Sequence, residues 1–426
     1  MNSDNYIAIL DIGTTKIVAA LANVYSSEKE RKINIESYGI AKARGMKRGM
    51  VTDIGEVTES IREAAQKANF YEKYKISEVY VGISNHTIKS NFITHYKSLP
   101  NGFISQKDLD ELISEVKHLA ISNDELVLHI LPHKYIIDKK FEHKNPVTIE
   151  GKRLDGKFLV VTADKAFVKS IHQVVKYANL SVKKIIFNPI AASEAVLSEA
   201  EKEGGVALID IGGGTTDLVV VHEKKILYTE VIPFGGENIT IDIQKTLHIL
   251  KAKAEELKVN KAHALAFKYL DNHYIEIQGI HGRLTRSVTA RTLSIIAQAR
   301  LSEIFDTIND RIKSFIENGQ IADGYTIVGG SAFMKDIAKF IKYRTNLEAH
   351  IETPNLTNIE ELNQLNFAST QGLILFVDKI ERQKTKAFSE KRRQEINFKE
   401  KTSGVFKKLI KAINNFFSDN PQDFTN

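Results

Sequence analysis

Apolar residues fall into two kinds of pattern along this chain. Short runs rich in β-branched and aromatic residues (Tyr6–Leu10, Val79–Ile83, Val127–Ile137, Phe158–Thr162, Val206–Ile209 and Tyr325–Val328) read as strands. Between them lie stretches of helical period: Ile54–Asn69, Ser105–Ala120, Lys165–Ala178, a segment entered at Asn188-Pro189, Thr292–Phe315 and Ala332–Tyr343. Ser105 can cap its helix with Asp108 three residues on, and Leu109, Leu112, Val116 and Leu119 then share a face. In the long helix Leu293, Ile296, Ala297, Leu301, Ile304 and Ile308 line one side. The pattern predicts an α/β chain. Residues 1–83 and 164–205, with part of 359–378, group as a first lobe, and 84–163 as a module inserted into it. Residues 206–240 and 300–358 form the core of a second lobe, and 241–299 a mixed insertion within that lobe.

One phrase occurs twice, each time at a strand end. Asp11-Ile12-Gly13-Thr14-Thr15 recurs about two hundred residues later as Asp210-Ile211-Gly212-Gly213-Gly214-Thr215-Thr216-Asp217. Glycine lets backbone pass close to phosphate oxygens, and successive N–H groups in such a turn make an anion-binding concavity. Thr14, Thr15, Thr215 and Thr216 add hydroxyl donors, and Lys16 adds a point charge. Magnesium keeps much of its water, so Asp11 and Asp210 read as holding metal-bound waters rather than as walls of a closed cage. Two such copies predict two similar half-domains closing on one nucleotide. Neither matches the P-loop or the dinucleotide fingerprint.

Two weaker phrases accompany the repeat. Gly329-Gly330-Ser331 joins a strand to a helix, where backbone can approach a ligand or simply turn. Glu255 and Lys258 share a helix face, either to bracket a ribose and base or as a solvated ion pair. No Gly-x-Ser-x-Gly and no paired catalytic carboxylates appear, so no catalytic residue is assigned. His129 and His133 lie on a stretch read as a strand ending at Pro132, which makes no zinc constellation.

The phrases Asp11–Thr15, Asp210–Asp217 and Val328–Ser331 resemble those of the actin, heat-shock-chaperone and sugar-kinase superfamily. Lys47–Asp53, Val79–Ser84 and Phe234–Thr240, with Gly235 and Gly236, are similar to segments of the FtsA family of bacterial cell-division actin homologues. The resemblance spans roughly residues 5–418. It implies an actin-like ATPase fold: two lobes, each with a ribonuclease-H-like sheet, a nucleotide cleft between them, and an inserted α/β subdomain that helps protomers stack. It also implies ATP and Mg as cofactors, with Gly329, Gly330, Ser331, Glu255 and Lys258 around the adenosine. Filament and chaperone relatives often carry Glu where this chain has Asn188. A neutral amide can orient water but cannot act as a carboxylate base, so at most a slow ATPase is implied.

Among 426 residues there are no cysteines, which excludes a disulfide scaffold and a thiolate metal site. No secretory leader or run of about 20 apolar residues is read, so a cytosolic chain is expected unless something attaches it to a surface. The net charge of +6 is concentrated: Lys379 to Lys401 holds nine Lys/Arg against four Glu. That leaves the body nearly balanced and speaks against nucleic acid as a partner.

The charged segment 379–403 reads as a flexible linker, and 404–418 as an amphipathic helix. Val405, Phe406, Leu409, Ile410, Ile413, Phe416 and Phe417 recur at helical period, with Lys407, Lys408 and Lys411 opposite. A helix too short to span, built this way, suits the interface of an anionic bilayer. The resemblance implies the rest: self-assembly into filaments on the cytoplasmic face of the plasma membrane at the division site, tethering of FtsZ, and recruitment of later divisome proteins. It implies that Arg291 and Arg300, on the long second-lobe helix, receive the acidic FtsZ tail. The alternatives are an actin-fold scaffold of pilus assembly or cell shape, a phosphotransferase, or a chaperone-like ATPase.

Overall fold

A computed structural model describes residues 6–26, 31–99, 102–268, 274–277, 286–357 and 359–385. Two five-stranded sheets have the same strand order. In the first it is Ser181–Phe187, Glu78–Ile83, Tyr6–Ile12, Lys16–Ser26, Arg31–Lys42; in the second, Ala349–Ile351, Tyr325–Val328, Val206–Ile211, Thr216–His222, Lys225–Ile232. Each pairs its first hairpin antiparallel and runs its central strand parallel to the next. Tyr6–Ile12 and Val206–Ile211 are buried almost throughout, which is why both read as continuous apolar runs.

The two copies of the repeated phrase fold as matching hairpins. Asp11 pairs with Val18 and Ile12 with Ile17; Asp210 pairs with Asp217 and Ile211 with Thr216. Gly13 N–H donates to Lys16 O at 3.0 Å, and Gly212 N–H to Thr215 O at 2.9 Å, closing the same turn in both lobes.

After each fifth strand comes a helix, Asn188–Val196 in the first lobe and 368–375 in the second. They cross where Gly372 meets Ala191: a β-carbon on Gly372 would lie 2.1 Å from the Ala191 carbonyl oxygen. Glycine allows this close approach.

The inserted module is a four-stranded antiparallel sheet, in order Lys89–Ser98, Arg153–Asp164, Glu125–Ile137, Phe141–His143, with the helix Gln106–Ala120 on one face. The expected Ser105–Asp108 capping box is present. Leu109, Leu112 and Val116 are buried, but Leu119 is exposed, and Ala120 continues the packed stripe instead. The strand read over Val127–Ile137 is present as Glu125–Ile137, and it does not stop at Pro132 as the reading of His129 and His133 expects. Pro132 sits beside a register irregularity, where a missing N–H costs little. His129 is buried and neutral, its pKa pushed down to about 3 by burial, and its Nε2 accepts from Phe187 N–H at 3.0 Å. It ties the module to the first sheet.

Two further expectations shift. The helix expected from Ala332 begins at Ile337, because Ala264 N–H takes the Lys335 carbonyl and Gly330–Phe333 winds as a 3-10 turn. The expected division at 299/300 falls inside one helix, Ala290–Glu317. Its Leu293, Ala297, Leu301, Ile304 and Ile308 are buried as read, with Ile296 partly so. Residues 376–385, the described part of a second unit, are helical, so helix occupies the start of the segment read as a linker. The expected amphipathic helix 404–418 lies outside the described residues.

In an exposed helix Gly→Ala gains about 1 kcal/mol. At Gly372 the clash with backbone reverses the sign. Gly372→Ala is expected to cost about 1–3 kcal/mol in chemical denaturation; an unchanged or raised midpoint would show that the helices do not cross this tightly.

Candidate functional site

The two hairpins meet. A β-carbon on Gly213 would lie 2.2 Å from Thr15 Cγ2, and one on Gly214 2.7 Å from Thr14 Cγ2. Position two of each turn therefore faces position three of the other, as a local two-fold requires. Glycine in the second copy makes room for threonine in the first. Between them is a cavity of about 140 Å³, lined in part by Asp11, Asn188, Asp210 and Asp217.

Asp11 closes its strand with both carboxylate oxygens held. Asn188 Nδ2 donates to Oδ1 at 2.9 Å and Thr370 Oγ1 to Oδ2 at 2.7 Å. Ser369 Oγ donates to Asp210 Oδ2 at 3.1 Å, and Ser84 Oγ to Asp217 Oδ1 at 2.6 Å. Burial pushes the pKa of all three carboxyls up. Asp11 is pulled back by Thr370, Lys16 and Asn188; for Asp217 the neighbouring Asp210 charge adds to the rise. Carboxylates held this way favour a nearby cation.

Among the described residues no three His, Cys, Asp or Glu converge as a direct metal cage. Asp11 and Asp210, read from the sequence as holding metal-bound waters, both line the cavity. Asn188 Oδ1 is buried, with no partner among the described residues.

The remaining residues of the sequence reading divide. Gly13, Thr14, Thr15, Lys16, Gly212, Gly213, Thr215, Gly329 and Gly330 line the cavity. Gly329 has φ +96°, and a β-carbon there would lie 2.3 Å from Asp210 Oδ1, so side-chain space is given up to the carboxylate. Lys16, read as a point charge for phosphate, already has partners within the protein. Its Nζ donates to Asn366 O at 2.5 Å and sits 3.3 Å from the Phe367 ring centroid, and burial brings its pKa down to about 8. Thr216, expected among the phosphate donors, instead begins the strand and donates to Phe234 O at 2.8 Å, fully buried. Strand alternation turns it away from the cavity.

Gly235 and Gly236 start the helix Gly236–Leu247. Its Gly236 and Glu237 N–H groups donate to Gly212 O at 2.9 Å and Gly213 O at 2.8 Å, bracing the second hairpin from behind. Ser331 Oγ lies 3.5 Å from Gly212 O. Lys258 Nζ donates to Gly236 O at 3.1 Å and pairs with Glu255 at 2.8 Å. The Gly236, Lys258 and Ser331 side thus forms one wall behind the second hairpin.

Ser84, Asp217, Asn366, Ser369 and Thr370 went unassigned. Asp217 stood within the repeated phrase; the hydroxyls at 369 and 370 carry no local motif. Arg300, expected to receive an acidic tail, is committed within the second lobe. It donates to Asp242 at 2.7 and 3.1 Å and to Glu303 at 2.5 Å. Arg291 borders a 330 Å³ groove with Phe267 and Ile295, both exposed.

Comparison with known proteins agrees with this geometry. A chain of the solved PilM-PilN type IV pilus biogenesis complex matches with TM-score 0.62 at 16% identity, over 87% of this chain and 97% of that one. MreB 5 of Spiroplasma citri bound to AMPPNP matches with TM-score 0.54 at 14% identity, over 90% and 99%. The fold is that of the actin-like ATPases, two lobes about a nucleotide cleft. Within that class, the family model described as cell division protein FtsA matches residues 207–372, and that of the SHS2 domain inserted in FTSA matches 85–162. Curated cell division proteins FtsA are 33% identical over 350 residues in Neisseria meningitidis serogroup B (82% of this chain, 84% of the relative) and 29% over 391 residues in Escherichia coli K12 (90% and 92%). The chain belongs to the FtsA family, the actin-like cell-division proteins.

Because its pKa is raised in the fold, Asp217 holds a proton more readily folded than unfolded. Stability from this group is then lost as pH rises from about 4 and the carboxyl ionises. Asp217→Asn keeps an acceptor for Ser84. In chelator it is expected to raise the denaturation midpoint at pH 7 and to flatten the decline above pH 4. A lower midpoint with an unchanged pH profile would contradict the buried-charge description.

Proposed function

We propose that the chain binds ATP with magnesium between its lobes, polymerises on the cytoplasmic face of the plasma membrane, and tethers FtsZ filaments there. Recruitment of later divisome proteins follows from its place in the family. The observation that carries this reading is the contact of two matching loops, Thr14 on Gly214 and Thr15 on Gly213, above three buried carboxylates.

Asp11 and Asp210 would hold magnesium through its waters, while Gly13–Thr15 and Gly212–Thr215 offer N–H and hydroxyl donors to the phosphates. Magnesium, when bound, would neutralise phosphate and carboxylate charge together. The two turns touch, Gly213 on Thr15 and Gly214 on Thr14, so phosphates seated between them require the hairpins to part. Gly329, Gly330, Ser331, Glu255 and Lys258 would take the adenosine side. Asn188, held by Asp11, can orient water but supplies no strong base, which suits a nucleotide-gated assembly with slow hydrolysis. The ligand biases that assembly only through its differential affinity for the two lobe arrangements.

For the FtsZ tail the groove beside Arg291, with Phe267 and Ile295, fits an acidic, partly helical peptide; Arg300 shapes that lobe from within. At the membrane each buried Leu, Ile or Phe is worth ~1.5–3 kcal/mol and each lysine about 1 kcal/mol. Part of that is lost in folding a short helix, so one copy binds weakly and a filament binds firmly. The unassigned base argues against a phosphotransferase. The family matches favour division over the pilus system that shares the fold.

The test combines purified full-length protein, ATP, magnesium and anionic vesicles. Filaments that form on lipid and recruit FtsZ are expected. Asp210→Ala should lose the ATP dependence, and Phe406→Glu with Ile410→Glu should lose the vesicles. Undiminished ATP affinity in the first variant would remove the site assignment; unchanged co-sedimentation in the second would remove the membrane role of the tail.

A further inference from the structure

Ser84 directly follows the strand Glu78–Ile83 in the first lobe, yet its hydroxyl donates to Asp217 of the second lobe across the cleft. Six residues later Ser90 Oγ donates to Thr229 O at 2.7 Å, again on the second lobe. The two anchor points lie on adjacent strands: Asp217 pairs with Val231, and Val219, two residues on, pairs with Thr229. Residues 84–90 are therefore strapped to the second lobe at both ends.

The strap is stiff and directly coupled to the phosphate turn. Asn85 is fully buried; its Oδ1 accepts from Thr87 N–H at 2.6 Å and its carbonyl from Ile88 N–H at 3.1 Å. Gly49 packs on Ser84 so closely that a β-carbon would lie 2.1 Å from Ser84 O, and its N–H donates to Thr14 Oγ1 at 3.0 Å. The first strand of the inserted module, Lys89–Ser98, starts within the strap and carries its second anchor, Ser90. Elsewhere the module meets the second lobe through Lys225 and Glu142, 3.6 Å apart.

We propose that Ser84 is a positioning residue that transmits occupancy of the phosphate cleft, through the strap 84–90, to the orientation of the inserted module. This rests on the reading of the cleft as a nucleotide site. For the hairpins to part, Asp217 must move relative to Thr14. Ser84 is bonded to the first and, through Gly49, packed on the second. The displacement either breaks the Ser84–Asp217 bond or draws the strap with it. In both cases the first strand of the module changes its hold on the second-lobe edge.

Hydrogen exchange of the amides in Lys89–Ser98 tests this, on full-length protein with and without saturating MgATP, saturation being verified with a fluorescent ATP analogue. Wild type should show about a fivefold change in exchange, the weight of one ordinary hydrogen bond. Ser84→Ala, still saturated, should lose it, and Ser84→Thr, which keeps the hydroxyl, should restore it. Ser90→Ala, outside the cleft, should lose it too and serves if Ser84→Ala does not fold. A full nucleotide-dependent change in Ser84→Ala, or none in nucleotide-bound wild type, overturns the proposal. Wild type that binds no ATP at all would overturn the nucleotide reading, and this inference with it.

Discussion

Asp11, Asp210 and Asp217 share one cleft away from bulk water, and like charges so placed raise the energy of the folded chain unless hydrogen bonds or a cation offset them. Each carboxylate is met by a side chain from a distant part of the sequence. Asn188 and Thr370 hold Asp11, Ser369 holds Asp210, and Ser84 holds Asp217. These bonds orient the oxygens, and Lys16 offsets part of the charge on Asp11 and Asp210. A site with fixed carboxylate acceptors and negative charge suits a hydrated divalent cation.

The architecture follows from having to build such a site from two similar halves. Each lobe supplies a sheet of the same order, a hairpin ending in aspartate, and a helix after the last strand. The halves fit only because threonines of one turn face glycines of the other, and because Gly372 lets the two helices touch at Ala191. The lobes meet at the hairpin contact, the crossing helices and the strap beside Ser84. The inserted module hangs from that strap and is joined to the first sheet by His129.

Much of this was legible in the sequence where the signal is local. An Asp-x-Gly turn after an apolar run states both the strand and its end, and the Ser105–Asp108 box marks a helix start within four residues. The failures came where tertiary contacts outweighed local pattern. Ser369 and Thr370 reach the cleft from more than 150 positions away, with nothing beside them to announce it. Thr215 and Thr216 look alike in sequence, but strand alternation sends one to the cavity and the other to Phe234 O. Ala332 sits in a helical pattern whose first turn is preempted by Ala264 taking the Lys335 carbonyl. Arg300 reads as a surface cation until Asp242, 58 residues earlier, is seen to hold it.

The absence of cysteine from the chain allows a direct measurement of the hairpin contact. A Cβ on Gly213 would lie 3.3 Å from Thr15 Cβ, close to the 3.5–4.5 Å that a disulfide spans. In a Thr15→Cys, Gly213→Cys double variant the cross-link should form readily under mild oxidation, and saturating MgATP should suppress it by holding the hairpins apart. Failure to cross-link, or cross-linking at the same rate with and without MgATP, would contradict a nucleotide seated between the two turns.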